Sequence, residues 1–195
     1  IPVPRLQAPL YYNEYSHGIQ AINYGSTGGI IGHELSHAFD NYCRLYNELG
    51  NMVQWWTNKS VEEYTKRENC LISHYDGIKY VVNGTLTLGE NISDIAGLKE
   101  AYYAYLRYVE IHGQEPRLPG LERYSQEQLF FLAYANSYCH YQESGNEYNN
   151  NYLYVHSPSV VRVREVLKLS PEFAKAWSCP TGTPMNPIID KCQIW

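Results

Sequence analysis

The sequence predicts a mainly α-helical protein with a small β element. Apolar residues recur at helical spacing over several stretches, and the longest, Leu88–His112, is followed by Gly113, a natural helix stop. A short apolar run at residues 78–82 lies between the turn pairs Asp76-Gly77 and Asn83-Gly84 and is a strand or a loop. With 195 residues, 44% hydrophobic and 18% charged, the chain has the composition of a globular protein, and we expect one domain over residues 1–195.

Local signals place the other elements in order along the chain. Residues 6–24 show no helical period and predict extended or hairpin structure. Apolar spacing predicts further helices over residues 26–42, 55–75, 125–141, 159–167 and 171–177. Ser125 is a typical N-cap for the third of these, and the polar residues 142–151 that follow it predict a loop.

The segment His33-Glu34-Leu35-Ser36-His37 lies within an apolar run that is compatible with a helix. Residues four apart share one helix face, so both imidazoles can reach one cation. Glu34 then lies beside the metal and can take a proton from a bound water, as in the zinc-hydrolase pattern H-E-x-x-H. A solvated polar face is the alternative, but the flanking Gly, Ile, Ala and Phe residues favour a buried helix, where a histidine needs a partner.

Two histidines leave zinc one ligand short, because catalytic zinc takes three protein ligands and a water. Glu90 and Asp94 lie four residues apart further along the chain and share a face of the helix predicted there. Glu90 can bind the metal, and Asp94 can accept the free N–H of a ligand histidine. Alternatively, Thr87 and Glu90 have the spacing of a capping box, which explains Glu90 but not Asp94.

These two motifs, residues 33–40 and 89–94, resemble the neprilysin / endothelin-converting-enzyme family of zinc peptidases. The family patterns are H-E-x-x-H-[AG]-F-D and G-E-N-I-A-D. The resemblance continues in order along the chain through Trp55-Trp56, Leu118-Pro119-Gly120-Leu121, His156-Ser157-Pro158 and Cys192-Gln193-Ile194-Trp195. It implies a thermolysin-like zincin (gluzincin) catalytic lobe that binds one Zn²⁺ per chain. It also implies a preceding N-terminal helical region, which this sequence does not contain.

The resemblance assigns roles around the metal. The implied zinc ligands are His33, His37 and Glu90. Glu34 is the general base, and Asp94 orients a zinc-binding histidine. Asp40, at the end of the first motif, is a candidate to support a histidine in the same way or to cap the helix.

Two further residues correspond to family positions that contact substrate. His156 matches the histidine that stabilises the oxyanion, and Arg162 matches the arginine that binds the peptide carbonyl on the leaving side. Without the resemblance, they read as a surface histidine and a solvated charge. Family members carry an aspartate at the position of Tyr154, and a phenol does not favour imidazolium as a carboxylate does. Gly29 and Ser137 stand where neprilysin has bulkier apolar residues, so the size preference of the pocket is open.

Five cysteines indicate an oxidising compartment, and the odd number leaves at least one without a partner in the chain. The resemblance implies a Cys70–Cys192 disulfide. It pairs Cys139 and Cys179 with cysteines of the N-terminal region; if the chain stands alone, these two are unpaired or pair with each other. Cys43 has no counterpart in the family; one interpretation of it is a buried free thiol, and its partner stays open.

Charge and hydropathy limit the partners and the location. The net charge of −5 and the lack of a basic run argue against nucleic acid as a binding partner. The sequence contains no run of 18 or more apolar residues, the length needed to span a membrane. The sequons at Asn58 and Asn83 permit glycosylation in a secreted protein, whereas Asn91 lies within the predicted zinc helix and is discounted. We expect an extracellular protein, either secreted or the ectodomain of a type II membrane protein.

Three functions fit these observations. The first is a zinc metalloendopeptidase that cleaves oligopeptides, preferentially before apolar residues. The second is a zinc-binding homologue with weak or no activity that acts as a peptide-binding or decoy module. The third is a domain in which zinc only stabilises the fold. Glu34 favours the first over the third, because a structural site needs no general base and is closed by four protein ligands.

Overall fold

A computed structural model describes residues 2–13, 20–78, 82–139 and 154–194. The described part is mainly helical, as predicted. Its α-helices are α1 (Gln20–Asn23), α2 (Gly29–Ser36), α3 (Asn58–Asp76), α4 (Leu88–His112), α5 (Gln126–Ser137), α6 (Ser159–Leu169) and α7 (Pro171–Ala176). Within these ranges the only β structure is two isolated bridges, Tyr46 to Met52 and Thr183 to Asn186. Most of the short run 78–82 and all of the loop 142–151 fall outside the described residues.

The prediction of extended or hairpin structure over residues 6–24 is wrong at both described ends of this stretch. Residues 7–11 form a turn in which Gln7 accepts from the backbone of Leu10 and Tyr11, and α1 forms from Gln20 and continues through a π-helical turn, Tyr24–Gly28, into α2. The cause lies far along the chain. The carboxylate of Glu115 accepts the backbone N–H groups of Gln20 at 2.8 Å and Ala21 at 3.0 Å. This satisfies free donors at the start of a short helix, and no local spacing could indicate it.

The helix of the first motif is shorter than predicted. α2 ends at Ser36 and gives way to a 3₁₀ turn, His37–Phe39, instead of continuing to residue 42. Asp40 ends the turn in an extended conformation, and its Oδ1 accepts the backbone N–H groups of Tyr42 and Cys43. A side chain that bonds to the backbone just ahead of it competes with helix continuation.

Helix α4 has the predicted bounds and runs through the core, with buried residues along most of its first half. α2 crosses it at very short range. A Cβ atom on Gly32 would lie 2.5 Å from the carbonyl oxygen of Gly97. Only a glycine pair permits this approach, and it brings the first motif against the second.

The remaining helices support this crossing. α3 begins at Asn58, three residues later than predicted. The hydroxyl of its N-cap, Thr57, accepts the N–H of Ser60. Ser125 forms the expected N-cap of α5 as part of a capping box with Gln128, and α6 and α7 lie near their predicted positions. The Cys70–Cys192 disulfide implied by the resemblance is present and ties α3 to the end of the chain.

Candidate active site

The two motifs meet at a cluster of three potential metal ligands. His33 and His37 project from the end of α2, and Glu90 projects from the first turn of α4. Nε2 of His33 lies 3.0 Å from Nε2 of His37 and 3.3 Å from Oε2 of Glu90. Nε2 of His37 lies 3.7 Å from Oε1 of Glu90. The sequence-predicted ligand set is therefore brought together in space.

These separations suit a tetrahedral zinc ion. Zinc bonds of 2.0–2.1 Å place ligand atoms about 3.4 Å apart at the corners of a tetrahedron. Glu90 Oε2 is buried and, among the described residues, has no hydrogen bond of acceptable geometry. A buried carboxylate oxygen without a hydrogen bond is costly in a protein, and a cation at this point would satisfy it.

Two carboxylates hold the histidine rings. Nδ1 of His33 donates to Oδ1 of Asp94 at 2.8 Å, and Nδ1 of His37 donates to Oδ2 of Asp40 at 2.9 Å. A proton on each Nδ1 leaves both Nε2 lone pairs free for a metal. Asp94 thus lies where the sequence analysis expected it, and Asp40 both supports His37 and bonds to the backbone after it.

The capping-box alternative for the start of α4 does not form. The Thr87 side chain makes no capping hydrogen bond. Its hydroxyl donates instead to the carbonyl of Asn83 and accepts from the amide of Asn91. Glu90 is free to point toward the histidines.

The cluster favours a positive charge. Burial alone would lower the pKa of His33, but its hydrogen bond to Asp94 and the nearby carboxylate of Glu90 outweigh this effect and raise that pKa to about 9. Burial alone would raise the pKa of Glu90, yet the imidazoles of His33 and His156, 3.3 Å and 3.0 Å from its Oε2, hold that pKa below its ordinary value. A divalent cation bound to the Nε2 atoms would replace the Nε2 proton of a protonated His33, and the same carboxylates would stabilise its charge.

Arg162 reaches the cluster from α6 and is held by Asp94. Its Nε and Nη2 donate to the two carboxylate oxygens of Asp94, each at 2.7 Å. The Tyr138 hydroxyl donates to Oδ1 of Asp94 at 3.2 Å, and the Arg162 guanidinium lies over the Tyr138 ring. The bonds from Arg162 and His33 keep the pKa of the fully buried Asp94 below its usual value, although burial alone would raise it.

A cavity of about 510 Å³ opens beside these residues. Its walls include four residues that the sequence analysis placed in metal binding, catalysis or substrate contact, which are His33, Glu34, His156 and Arg162, and also Ser137, which it named as a pocket position. Glu34 is exposed there, next to a metal ligand and on the side that substrate can reach. The cavity therefore joins the predicted base to both predicted substrate contacts.

His156 lies over the carboxylate of Glu90, with its Nε2 3.0 Å from Oε2. Its Nδ1 is buried and has no hydrogen-bond partner among the described residues. The Tyr154 ring packs against the imidazole, with centroids 5.2 Å apart, and does not bond to Nδ1. Burial lowers the pKa of His156, and the positive charge of Arg162 lowers it further, against the opposing effect of Glu90.

Two contacts were not anticipated from sequence. The Ser93 hydroxyl lies 3.1 Å from Nδ1 of His37, and Tyr138 bonds to Asp94 from a separation of 44 residues. Ser93 lies within the second motif, so its proximity to the site could have been inferred. Tyr138 offers no sequence signal, because its role depends on the packing of α5 against α4.

The unpaired cysteines and the sequons bear on the earlier expectations. Cys43 and Cys139 are exposed and Cys179 is half-buried, and none of the three is in a disulfide within the described part of the chain. The expectation that Cys43 is a buried thiol is therefore wrong, because the turn ended by Asp40 carries it to the surface.

Asn91 is buried and its amide oxygen accepts the Ser157 hydroxyl, as its exclusion from glycosylation required. None of the described helices combines the length and the hydropathy that a membrane-spanning helix requires.

Comparisons with known proteins agree with this geometry. The profile of peptidase family M13 matches residues 1–194. Neprilysin-11 of Caenorhabditis elegans is 39% identical over 199 residues, covering 100% of this chain and 23% of that protein. Human endothelin-converting enzyme 1 is 41% identical over 197 residues, covering 100% of this chain and 25% of that protein. The chain spans about a quarter of the length of these curated relatives.

A solved structure extends the comparison to the fold. The zinc metalloprotease Zmp1 of Mycobacterium tuberculosis, in complex with an inhibitor, matches with a TM-score of 0.82 at 28% identity. The match covers 92% of this chain and 28% of that one. Together with the sequence matches, it confirms the family resemblance and the helical zincin lobe that the resemblance implied.

Proposed function

Because this chain belongs to peptidase family M13, we propose that it provides the catalytic lobe of a zinc-dependent endopeptidase acting on oligopeptides. The observation that carries the proposal is the position of Glu34. Its carboxylate lines the same cavity as His33. His33 is one of the three residues whose ligand atoms have spacings that suit zinc. One Zn²⁺ per chain would be held by His33, His37 and Glu90.

The residues of the site divide the work of peptide hydrolysis. Zinc, when bound, polarises the scissile carbonyl and lowers the pKa of water. Glu34 accepts the proton of the attacking water and passes it to the leaving amine. Asp94 and Asp40 keep Nδ1 of the two histidines protonated, so that each Nε2 faces the metal.

The substrate side of the cavity adds two donors. His156 faces the oxyanion that forms at the carbonyl, and Arg162 binds the peptide carbonyl on the leaving side. The bidentate pair with Asp94 fixes the guanidinium of Arg162, so this donor is preorganised. The expected preference for apolar residues after the scissile bond remains a prediction of the resemblance alone.

The second candidate is a homologue that binds peptides but turns them over slowly or not at all. One observation favours it. His156 lacks a partner for Nδ1 among the described residues, since Tyr154 packs against its ring without bonding to that atom. A purely structural zinc site is disfavoured. Such a site is closed by four protein ligands, and the exposed carboxylate of Glu34 in the cavity would have no role in it.

The wider context follows the family resemblance. We place the chain as a single domain in an extracellular protein, either secreted or the ectodomain of a type II membrane protein, which binds oligopeptides and not nucleic acid. The Cys70–Cys192 disulfide supports an oxidising compartment. Cys139 and Cys179 would join the chain by disulfides to an N-terminal region.

A cleavage assay with an internally quenched peptide tests the proposal on the native protein. We expect cleavage that a zinc chelator abolishes and added zinc restores. Glu34→Gln should remove activity while leaving the zinc content, measured by metal analysis, unchanged. Glu48→Gln, at an exposed glutamate outside the cavity, serves as the matched control. Tight peptide binding without turnover would establish the second candidate instead.

A further inference from the structure

The cavity beside the metal ligands contains a second guanidinium. Arg5 ends a 3₁₀ turn, Val3–Arg5, near the start of the described chain and lines the cavity together with Arg162. The two residues are far apart in sequence and come together only through the fold.

The two arginines differ in how their charge is used. Arg162 gives two of its donors to the buried carboxylate of Asp94, which largely offsets its charge. The Arg5 side chain is exposed and has neither an ion pair nor a hydrogen bond within the described residues. Among the described residues, Arg5 is thus a cation without an ionic partner, and it faces the space where substrate would lie.

A second feature of the cavity acts in the same direction. Ser159, the first residue of the 11-residue helix α6, also lines the cavity. No side chain caps the start of that helix. The partial positive charge of a helix N-terminus favours an anion nearby, so it adds to the effect of Arg5.

In the described part of the chain, neither Glu34, which lines the cavity, nor Glu90, which lies beside its histidines, forms an ion pair with Arg5. Glu34 lines the same space but makes no ion pair with Arg5, and its proposed role as general base requires it to stay beside the water. Glu90 is occupied by the histidines and by the metal that they would hold. Since no described acidic group of the cavity is left to pair with Arg5, an anion supplied by the substrate would complement its charge.

We propose that Arg5 is a specificity-determining residue that selects substrates with a carboxylate on the leaving side of the scissile bond. The inference rests on the proposed peptidase function, because Arg162 defines the leaving side there. The carboxylate is either an aspartate or glutamate side chain next to the scissile bond or the free C-terminus of a short peptide. Ile30 and Tyr138 supply the apolar wall against which the rest of the residue packs.

This selection differs from the apolar preference expected from the family resemblance. A guanidinium and a carboxylate form a charge-assisted, often bidentate pair, which a leucine or valine side chain cannot provide. An apolar residue in the same space would displace water from the guanidinium and offer no hydrogen-bond acceptor in its place. The chain should therefore favour acidic oligopeptides, although its own net charge is −5.

Matched peptides test the proposal on the native protein. Each peptide has Glu, Gln or Leu directly after the scissile bond and ends two residues after that position. Each is made in two forms, with a free and with an amidated C-terminus. We expect the value of kcat/KM for the Glu peptides to exceed that for the Gln peptides by roughly tenfold or more, as for a charged hydrogen bond. Dependence on the free C-terminus alone would identify the chain end as the source of the carboxylate.

Variants at Arg5 assign the effect. Arg5→Gln should remove the Glu-over-Gln preference, Arg5→Lys should keep part of it, and Arg5→Glu should favour a Lys peptide. Arg164→Gln is the control, because Arg164 is an exposed arginine on α6 outside the cavity. Equal cleavage of the Glu, Gln and amidated peptides by the native protein, or an unchanged preference in Arg5→Gln, would overturn the proposal.

Binding separates this proposal from the peptidase function. In Glu34→Gln, fluorescence anisotropy with labelled Glu and Gln peptides measures selection without turnover. Preference for the Glu peptide that is lost in the Arg5→Gln, Glu34→Gln double variant supports the inference even if the native protein cleaves nothing. Cleavage without any such preference would leave the peptidase function intact and contradict the role of Arg5.

Discussion

Gly97 of α4 packs so closely on α2 that a Cβ atom at this position would lie 2.2 Å from the backbone nitrogen of His33. His33 is a proposed zinc ligand, and Glu90 and Asp94 lie within two turns of Gly97 on α4. The distance between the two helix backbones therefore sets the distance between the two halves of the metal site.

We expect Gly97→Ala to push the helices apart. Overpacking of this kind costs about 1–3 kcal/mol of the free energy of unfolding, and zinc affinity should fall with it. The measurements are urea unfolding and competition with a fluorescent zinc chelator. Gly29→Ala is the control, because its Cβ atom would meet only Tyr134 Cδ2 at 3.5 Å. Unchanged zinc affinity in Gly97→Ala would show that the crossing does not set the site.

Asp40 controls the second zinc histidine. Asp40→Asn should lower zinc affinity roughly 10–100-fold, because the Nδ1–H of His37 loses its carboxylate acceptor. Chelator competition measures the change. Asp76→Asn is the control, since the Asp76 carboxylate accepts the Gly84 N–H in a loop away from the metal. Equal losses in both variants would point to general destabilisation instead of histidine orientation.

Tyr154 bears on oxyanion stabilisation. Because Nδ1 of His156 has no acceptor among the described residues and burial lowers the pKa of the ring, imidazolium is disfavoured. Tyr154→Asp should raise that pKa and increase kcat roughly tenfold, if the new charged hydrogen bond strengthens in the transition state. Tyr154→Asn offers a neutral side chain of the same size for comparison. An unchanged kcat for peptide cleavage in Tyr154→Asp rules the idea out.

A buried acid links α3 to α6 and makes stability depend on pH. Glu165 accepts from Nε2 of His74 at 3.1 Å and from Nζ of Lys168 at 2.8 Å. Burial alone would raise the pKa of Glu165, but these bonds hold it below the ordinary value of 4.5. A depressed pKa stabilises the fold above the unfolded-state pKa, and this contribution is lost as the pH falls through the folded-state value.

Denaturant unfolding between pH 7 and pH 3 checks this prediction. Glu165→Gln should be less stable than the native protein at pH 7, and the difference should narrow as the pH falls below 4.5, the ordinary pKa of a glutamate. Glu110→Gln, at a largely exposed acid paired with Arg107, should show little effect at any pH. If the free energy of unfolding of Glu165→Gln stays below that of the native protein by the same amount down to pH 3, the ionic role of Glu165 is contradicted.

Features that depend on a few neighbouring residues were predictable from the order of the amino acids. Helical periodicity puts His33 and His37 on one face, and the same rule pairs Glu90 with Asp94, so both halves of the metal site were predictable. Ser125 and Gln128 form their capping box for the same local reason. The end of α2 was predicted too late, because the bonds from Asp40 to the backbone competed with helix propagation.

Which distant groups come into contact depends on the packing of the helices. The glycine contact between α2 and α4 joins the two motifs, and the Glu115 carboxylate starts α1 from 95 residues away. The same holds for the two arginines, since Arg162 is neutralised by Asp94 and Arg5 is left facing the cavity. Helix periodicity and capping act over a few residues, whereas the partner of a charge depends on how distant segments pack.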